Sequence, residues 1–187
     1  MVIVITLPTF IDGEADKIVA LFEKRHIDYL HLRKPEASEK EVERLLKEIP
    51  KKYYPQITLH DFHDLAVKYD VGGIHLTGRH PEAPCDWKGR ISTSCHSIEE
   101  LAQRKQEGYV MNGGQRSFAY LSLSPIFDSI SKQGYNAAFS EKELEEALRQ
   151  GIIDDGVLAL GGVTFERIEK VRSMGFGGAM ILGDAWR

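Results

Sequence analysis

Arg33, Lys34, Lys132, Ser129 and Ser131, together with Gly161, Gly162 and Gly183, are the groups in this chain best suited to hold a phosphorylated ligand. An arginine fork grips a phosphate through two parallel hydrogen bonds. Lys132 supplies a point charge next to the hydroxyls of Ser129 and Ser131. Glycines let backbone N–H groups approach an anion closely, and a helix starting near Thr164 would reinforce them. Asp61 is a hard oxygen ligand suited to Mg2+ held jointly with a diphosphate. Taken singly, each has a structural reading: Gly-Gly is a common turn, Ser-x-Ser-Lys a common solvated loop, and Arg33 can pair with Asp61. Their shared address decides the matter, because all of them follow the end of an apolar run.

Those runs must position the site. Val2–Thr6, Tyr29–Leu32, Ile57–Leu59, Gly73–Leu76, Ile91–Thr93, Ala119–Leu123, Val157–Leu160 and Gly178–Leu182 read as strands alternating with amphipathic helices. Such alternation predicts a parallel sheet with right-handed crossovers. Ala15, Ile18, Val19 and Phe22 form one apolar helix stripe, and Val42, Leu45, Leu46 and Ile49 another. Phe165, Ile168, Val171 and Met174 mark the buried face of the helix before the last strand. Capping boxes are expected at Ser38/Glu41, Ser97/Glu100 and Ser140/Glu143. Leu7-Pro8-Thr9-Phe10, not a glycine-rich turn, follows the first strand. That disfavours an open doubly wound sheet and favours a single-domain (β/α)8 TIM barrel over 1–187, whose phosphate loops follow strands seven and eight. Thr77–Gly89 reads as a loop, Tyr109–Ser117 as a polar loop, and the helix after the last strand as reduced or absent. A homo-oligomer, with a second copy covering the apolar groove left there, is the corresponding expectation.

Composition narrows the function. A net charge of -4 with a pI near 6.0 disfavours a general nucleic-acid or anionic-membrane binder. No apolar run is long enough to span a bilayer, and the first residues lack a basic leader, so a cytoplasmic protein is expected. Cys85 and Cys95 form no CxxC pair and read as reduced thiols. His31, His60, His63, His75, His80 and His96 raise the alternative of a zinc hydrolase barrel. No His-x-His closes the first strand and no later strand adds a clear acidic ligand, so that alternative ranks low. His26 is expected on the surface and His63 early in a helix.

Taken in order, the strand-end segments resemble the thiamine phosphate synthase family, which also contains thiazole tautomerases. They are Tyr29-Leu30-His31-Leu32-Arg33-Lys34, Leu59-His60-Asp61, Gly73-Ile74-His75-Leu76, Ser94-Cys95-His96-Ser97, Ser124-Pro125-Ile126-Phe127 and Ala159-Leu160-Gly161-Gly162-Val163. The resemblance implies a transferase that joins a phosphorylated pyrimidine to a phosphorylated thiazole with the help of Mg2+. It further implies that Arg33 grips the pyrimidine diphosphate, with His31, Lys34 and His60 nearby, and that Asp61 is the metal ligand. Ser94 and Lys132 would serve at the leaving diphosphate, while Ser129, Ser131, Gly161, Gly162 and Gly183 would cup the thiazole phosphate.

The chain departs from the family pattern at four points. His31 stands for a Gln, Pro35 for a Lys, His60 for an Asn, and His80 for a second Mg2+-binding Asp. The strand-two His is similar to the tautomerase branch, but Pro125 stands where that branch places a catalytic His. Synthase-like transfer therefore ranks ahead of a tautomerase, and a tautomerase ahead of a non-catalytic ligand-binding barrel.

Overall fold

The computed structural model describes residues 1–111, 113–128 and 137–187. Its strands are β1 (Val2–Ile5), β2 (Tyr29–Leu32), β3 (Ile57–Leu59), β4 (Gly73–Leu76), β5 (Arg90–Cys95), β6 (Tyr109–Met111), β7 (Gly114–Arg116), β8 (Tyr120–Leu123), β9 (Val157–Leu160) and β10 (Gly178–Ile181). All eight expected runs form strands, and these close into a barrel in the order β1-β10-β9-β8-β5-β4-β3-β2. The (β/α)8 class is the fold. No helix forms within Thr77–Gly89, and a 3-10 turn at Gly183–Trp186 follows β10. The chain divides into two compact units, Ile3–Ile91 and Met1–Val2 with Ser92–Arg187.

In the Ile3–Ile91 unit, β1 to β4 pair in parallel and pack against α1 (Glu14–Arg25), α2 (Glu39–Glu48) and α3 (His63–Tyr69). A ten-residue helix such as α2 is too short to persist alone in water. Burial of Val42, Leu45 and Leu46, about 1.5–3 kcal/mol each, holds it in place. Both arms of the expected capping box form at Ser38 and Glu41. On α1 the buried stripe is Ile18, Leu21 and Phe22, so the helix is rotated from the expected Ala15/Val19 edge toward Leu21. Phe22 stacks on Tyr53 with ring centroids 4.7 Å apart, which explains the turn of that face.

The second unit packs β5, β8, β9 and β10 against α4 (Ile98–Glu107), α5 (Glu141–Arg149) and α6 (Ile168–Ser173). Leu101, Leu121, Leu123, Leu144, Val157 and Val171 form its core, with Phe165, Ile168 and Met174 packed partly buried against it. Ser140 and Glu143 form a complete capping box, but Ser97 and Glu100 form half of one. The Glu100 carboxylate accepts from the His96 N–H at 2.8 Å instead of reaching back to Ser97. Tyr109–Ser117 is not a plain loop: β6 and β7 form an antiparallel hairpin around Gly113, whose φ is 72°. The overlooked signal is Asn112-Gly113, the dipeptide that favours tight hairpin turns.

Candidate active site

In the Ile3–Ile91 unit the carboxyl end of β2 presents Arg33. Its backbone is fixed by Thr6: the Arg33 N–H donates to Thr6 Oγ1 at 2.9 Å, and that hydroxyl donates to the Arg33 carbonyl at 3.0 Å. The half-buried guanidinium makes no ion pair among the described residues. The alternative of an Arg33–Asp61 pair is therefore not what forms. Asp61 Oδ1 instead accepts from Arg79 at 3.0 Å and lies 3.3 Å from His80 Nε2. Thr77 and His80 exchange backbone hydrogen bonds of 3.0 and 3.1 Å, and that tight loop sets both side chains on the carboxylate. Asp61 Oδ2 is buried with no hydrogen-bond partner. Arg79 escaped the sequence reading, although a basic residue just after a barrel strand was signal enough.

Three histidines occupy one face of the same unit. His31, His60 and His75 are 0%, 5% and 3% exposed, and His31 Nδ1 lies 2.8 Å from His60 Nε2. His60 and His75 stack with centroids 4.2 Å apart. Burial, followed by the His75 and Arg90 charges, pushes the His31 pKa well below its usual value. Burial and the His75 and His31 charges do the same for His60, and His75 is pushed down to about 3, chiefly by burial. All three are neutral at pH 7.

Lys34 takes a different place from the one its sequence position suggests. It is 1% exposed, and its ammonium donates to Glu14 Oε1 and Oε2 at 2.6 and 2.8 Å and to the Leu7 and Thr9 carbonyls at 2.9 and 2.8 Å. Four acceptors saturate three N–H donors. This lysine ties α1 to β2 and has no donor left for a diphosphate.

In the second unit, Ser94 Oγ lies 2.8 Å from Ser122 Oγ, since the β5–β8 register places the two residues opposite each other. Ile126 N–H donates to the Leu160 carbonyl and Phe127 N–H to that of Gly161, at 2.9 and 3.0 Å. The segment after β8 is thereby held beside the glycine turn after β9. Gly161 and Gly162 have φ of 91° and 63°, and none of the backbone hydrogen bonds among the described residues uses their N–H groups. Ser129, Ser131 and Lys132 lie outside the described residues. Gly183 opens the final 3-10 turn. The helix expected near Thr164 differs from expectation: a 3-10 turn at Phe165–Arg167 precedes the short α6, and the Phe165 N–H already donates to Asp184 at 3.0 Å. That carboxylate occupies the helix start that was expected to reinforce an anion site. A cavity of about 350 Å3, lined by Lys105, Tyr120, Asp154 and Val157 among others, opens at the amino ends of β8 and β9, away from these loops.

A Cβ on Gly162 would lie 2.3 Å from the Asp128 carbonyl and 2.7 Å from that of Phe127, both backbone atoms. Gly162→Ala is expected to lower stability by at least about 1–2 kcal/mol from the left-handed backbone alone. Chemical denaturation of the two proteins checks it.

The family model described as thiamine monophosphate synthase matches residues 2–183. A thiamine-phosphate synthase of Listeria monocytogenes is 28% identical over 137 residues, 70% of this chain and 59% of that protein. One from Halalkalibacterium halodurans is 24% identical over 159 residues, 80% of this chain and 69% of that one. The match thus spans about three fifths of the first of these relatives. Among solved structures, a thiamine phosphate pyrophosphorylase from Bacteroides thetaiotaomicron is 40% identical with a TM-score of 0.83, covering 99% of this chain and 84% of that one. A thiamine phosphate pyrophosphorylase from Pyrococcus furiosus, 18% identical at a TM-score of 0.70 over 98% of this chain and 89% of that one, shares the fold.

Proposed function

Because the chain belongs to the thiamine monophosphate synthase family, we propose that it joins hydroxymethylpyrimidine diphosphate to thiazole phosphate and releases pyrophosphate. The observation that carries this reading is the division of labour between two arginines. Arg33 keeps its guanidinium out of any ion pair among the described residues, while Arg79 and His80 engage Asp61. Arg33 is thus available to a diphosphate, while Arg79 is held by Asp61.

In the reaction the bond from the pyrimidine methylene carbon to the diphosphate oxygen breaks, and the thiazole nitrogen then forms the new C–N bond. Such chemistry asks a protein for charge neutralisation and positioning more than for a nucleophile. Arg33 grips the diphosphate through its fork. Ser94 lies near the pyrimidine end, oriented by its hydroxyl contact with Ser122. Gly161, Gly162 and Gly183 offer backbone N–H groups to the thiazole phosphate, and the resemblance to the family assigns Ser129 and Ser131 to the same phosphate and Lys132 to the leaving diphosphate. Asp61 Oδ2, buried and without a partner, would hold one Mg2+, which when bound would supply charge neutralisation for the leaving pyrophosphate. With His80 in place of a second carboxylate, Asp61 is the side-chain ligand in this proposal. The thiamine-phosphate synthases and pyrophosphorylases that the chain matches favour transfer over tautomerisation.

Incubation with both phosphorylated substrates and Mg2+ is expected to yield thiamine phosphate. Arg33→Ala is expected to reduce kcat/KM by about 10²–10³-fold, the scale of losing one charge-stabilising donor group. Unchanged activity in that variant would remove Arg33 from the site. Binding of either substrate without turnover would instead make the chain a ligand-binding barrel.

A further inference from the structure

His31 in β2, His60 just after β3 and His75 in β4 are not used by the proposed transfer. They converge for a reason of register. His31 pairs with Thr58, and Thr58 with Gly73, so two residues further on His60 comes level with His75. Period-two alternation then turns all three side chains to one face of three adjacent strands. One ligand nitrogen from each lies within 4.8 Å of the others, and all three residues are buried. We propose that His31, His60 and His75 form a three-histidine binding site for a transition-metal dication, Zn2+ in the first instance.

The chemistry of the donors selects the ion. Imidazole nitrogen suits Zn2+, Co2+ or Ni2+ and is a poor ligand for Mg2+, so this site does not compete with oxygen donors such as Asp61 for the same metal. Three histidines leave a fourth tetrahedral position open, as in catalytic zinc sites. Neutral imidazoles do not compensate the charge of a buried dication, so the fourth ligand is a solvent hydroxide or an anionic oxygen of a bound molecule. Zn–N bonds of about 2.0–2.1 Å require ligand nitrogens about 3.3 Å apart. His31 Nδ1 and His60 Nε2, now 2.8 Å apart in a hydrogen bond, separate by roughly half an ångström and lose the shared proton when the ion enters. The His60 and His75 rings, stacked at an interplanar angle of 20°, tilt toward each other's edges. Thr58 Oγ1, buried and without a hydrogen-bond partner, lies on the same face across from His31. A metal-bound water has a natural outer partner there.

The experiment uses the full chain stripped with a chelator and titrated with Co2+, then with Zn2+ in competition. One equivalent of Co2+ is expected, with the strong visible absorption of a four-coordinate ion, displaced stoichiometrically by Zn2+. Zn2+ should also raise the melting temperature in a concentration-dependent way. His75→Gln and His60→Gln should each weaken uptake by at least tenfold, while His96→Gln leaves it unchanged. Absence of stoichiometric uptake by the wild-type protein overturns the proposal, whether or not the variants fold. So does a six-coordinate Co2+ spectrum, or uptake that survives His75→Gln and vanishes in His80→Gln, which would move the metal to Asp61 and its neighbours.

Discussion

Between pH 6.5 and pH 4.5 the metal-free protein is expected to lose stability steeply, at up to about 4 kcal/mol per pH unit. The cause is the buried histidine trio. In the unfolded chain each imidazole binds a proton near its ordinary pKa of about 6.5. In the folded protein burial holds all three below that value, His75 down to about 3. The unfolded state therefore binds more protons throughout this window, and each such group removes about 1.4 kcal/mol per pH unit. The stability is fully present above pH 6.5 and is lost as pH falls toward the folded pKa values. A domain stable by about 5–15 kcal/mol has little left two to three units down. Urea midpoints at pH 7, 6 and 5 in the presence of a chelator check this. His75→Gln should flatten the dependence by about a third, since one of three groups is removed. A slope unchanged by that substitution would assign the acid lability to carboxylates instead.

Lys34→Met is expected to destabilise the protein by about 3–5 kcal/mol, the scale of leaving one partner of a buried ion pair uncompensated. Glu14, 3% exposed, would be left buried with no ammonium beside it, and the Leu7 and Thr9 carbonyls would lose their donor. The double change Lys34→Met with Glu14→Leu removes both charges and should recover much of the loss, because well-packed apolar replacements of buried pairs are close to neutral. Thermal and chemical denaturation of the single and double variants measure the difference. A Lys34→Met protein as stable as the wild type but impaired in diphosphate binding would return this lysine to the site.

Lys34 also shows how far the sequence could be read. The strands were legible because each is a short apolar run with β-branched residues, and their alternation with helical stripes left few topologies open. The same alternation that set His31 and Arg33 on one face put Lys34 on the other, so its structural role was within reach. What concealed that role was its partner, since Glu14 stands twenty residues away at the start of α1. Convergence of His31, His60 and His75 depends on the offsets of β2, β3 and β4, which no local pattern encodes. Asp61 was readable as an acid at a strand end. That Arg79 and His80 would share one of its oxygens depended on the tight turn after Thr77. Asp184 at the Phe165 N–H is a tertiary contact of the same kind.

The central claim is that the chain is a transferase acting on two phosphorylated substrates. Its most direct test is the stoichiometry of products when purified protein, Mg2+, hydroxymethylpyrimidine diphosphate and thiazole phosphate are combined, with each substrate omitted in turn. The account predicts thiamine phosphate and pyrophosphate in a one-to-one ratio, formed only when both substrates are present. Pyrophosphate released without the thiazole, or no thiamine phosphate from the complete mixture, would contradict it.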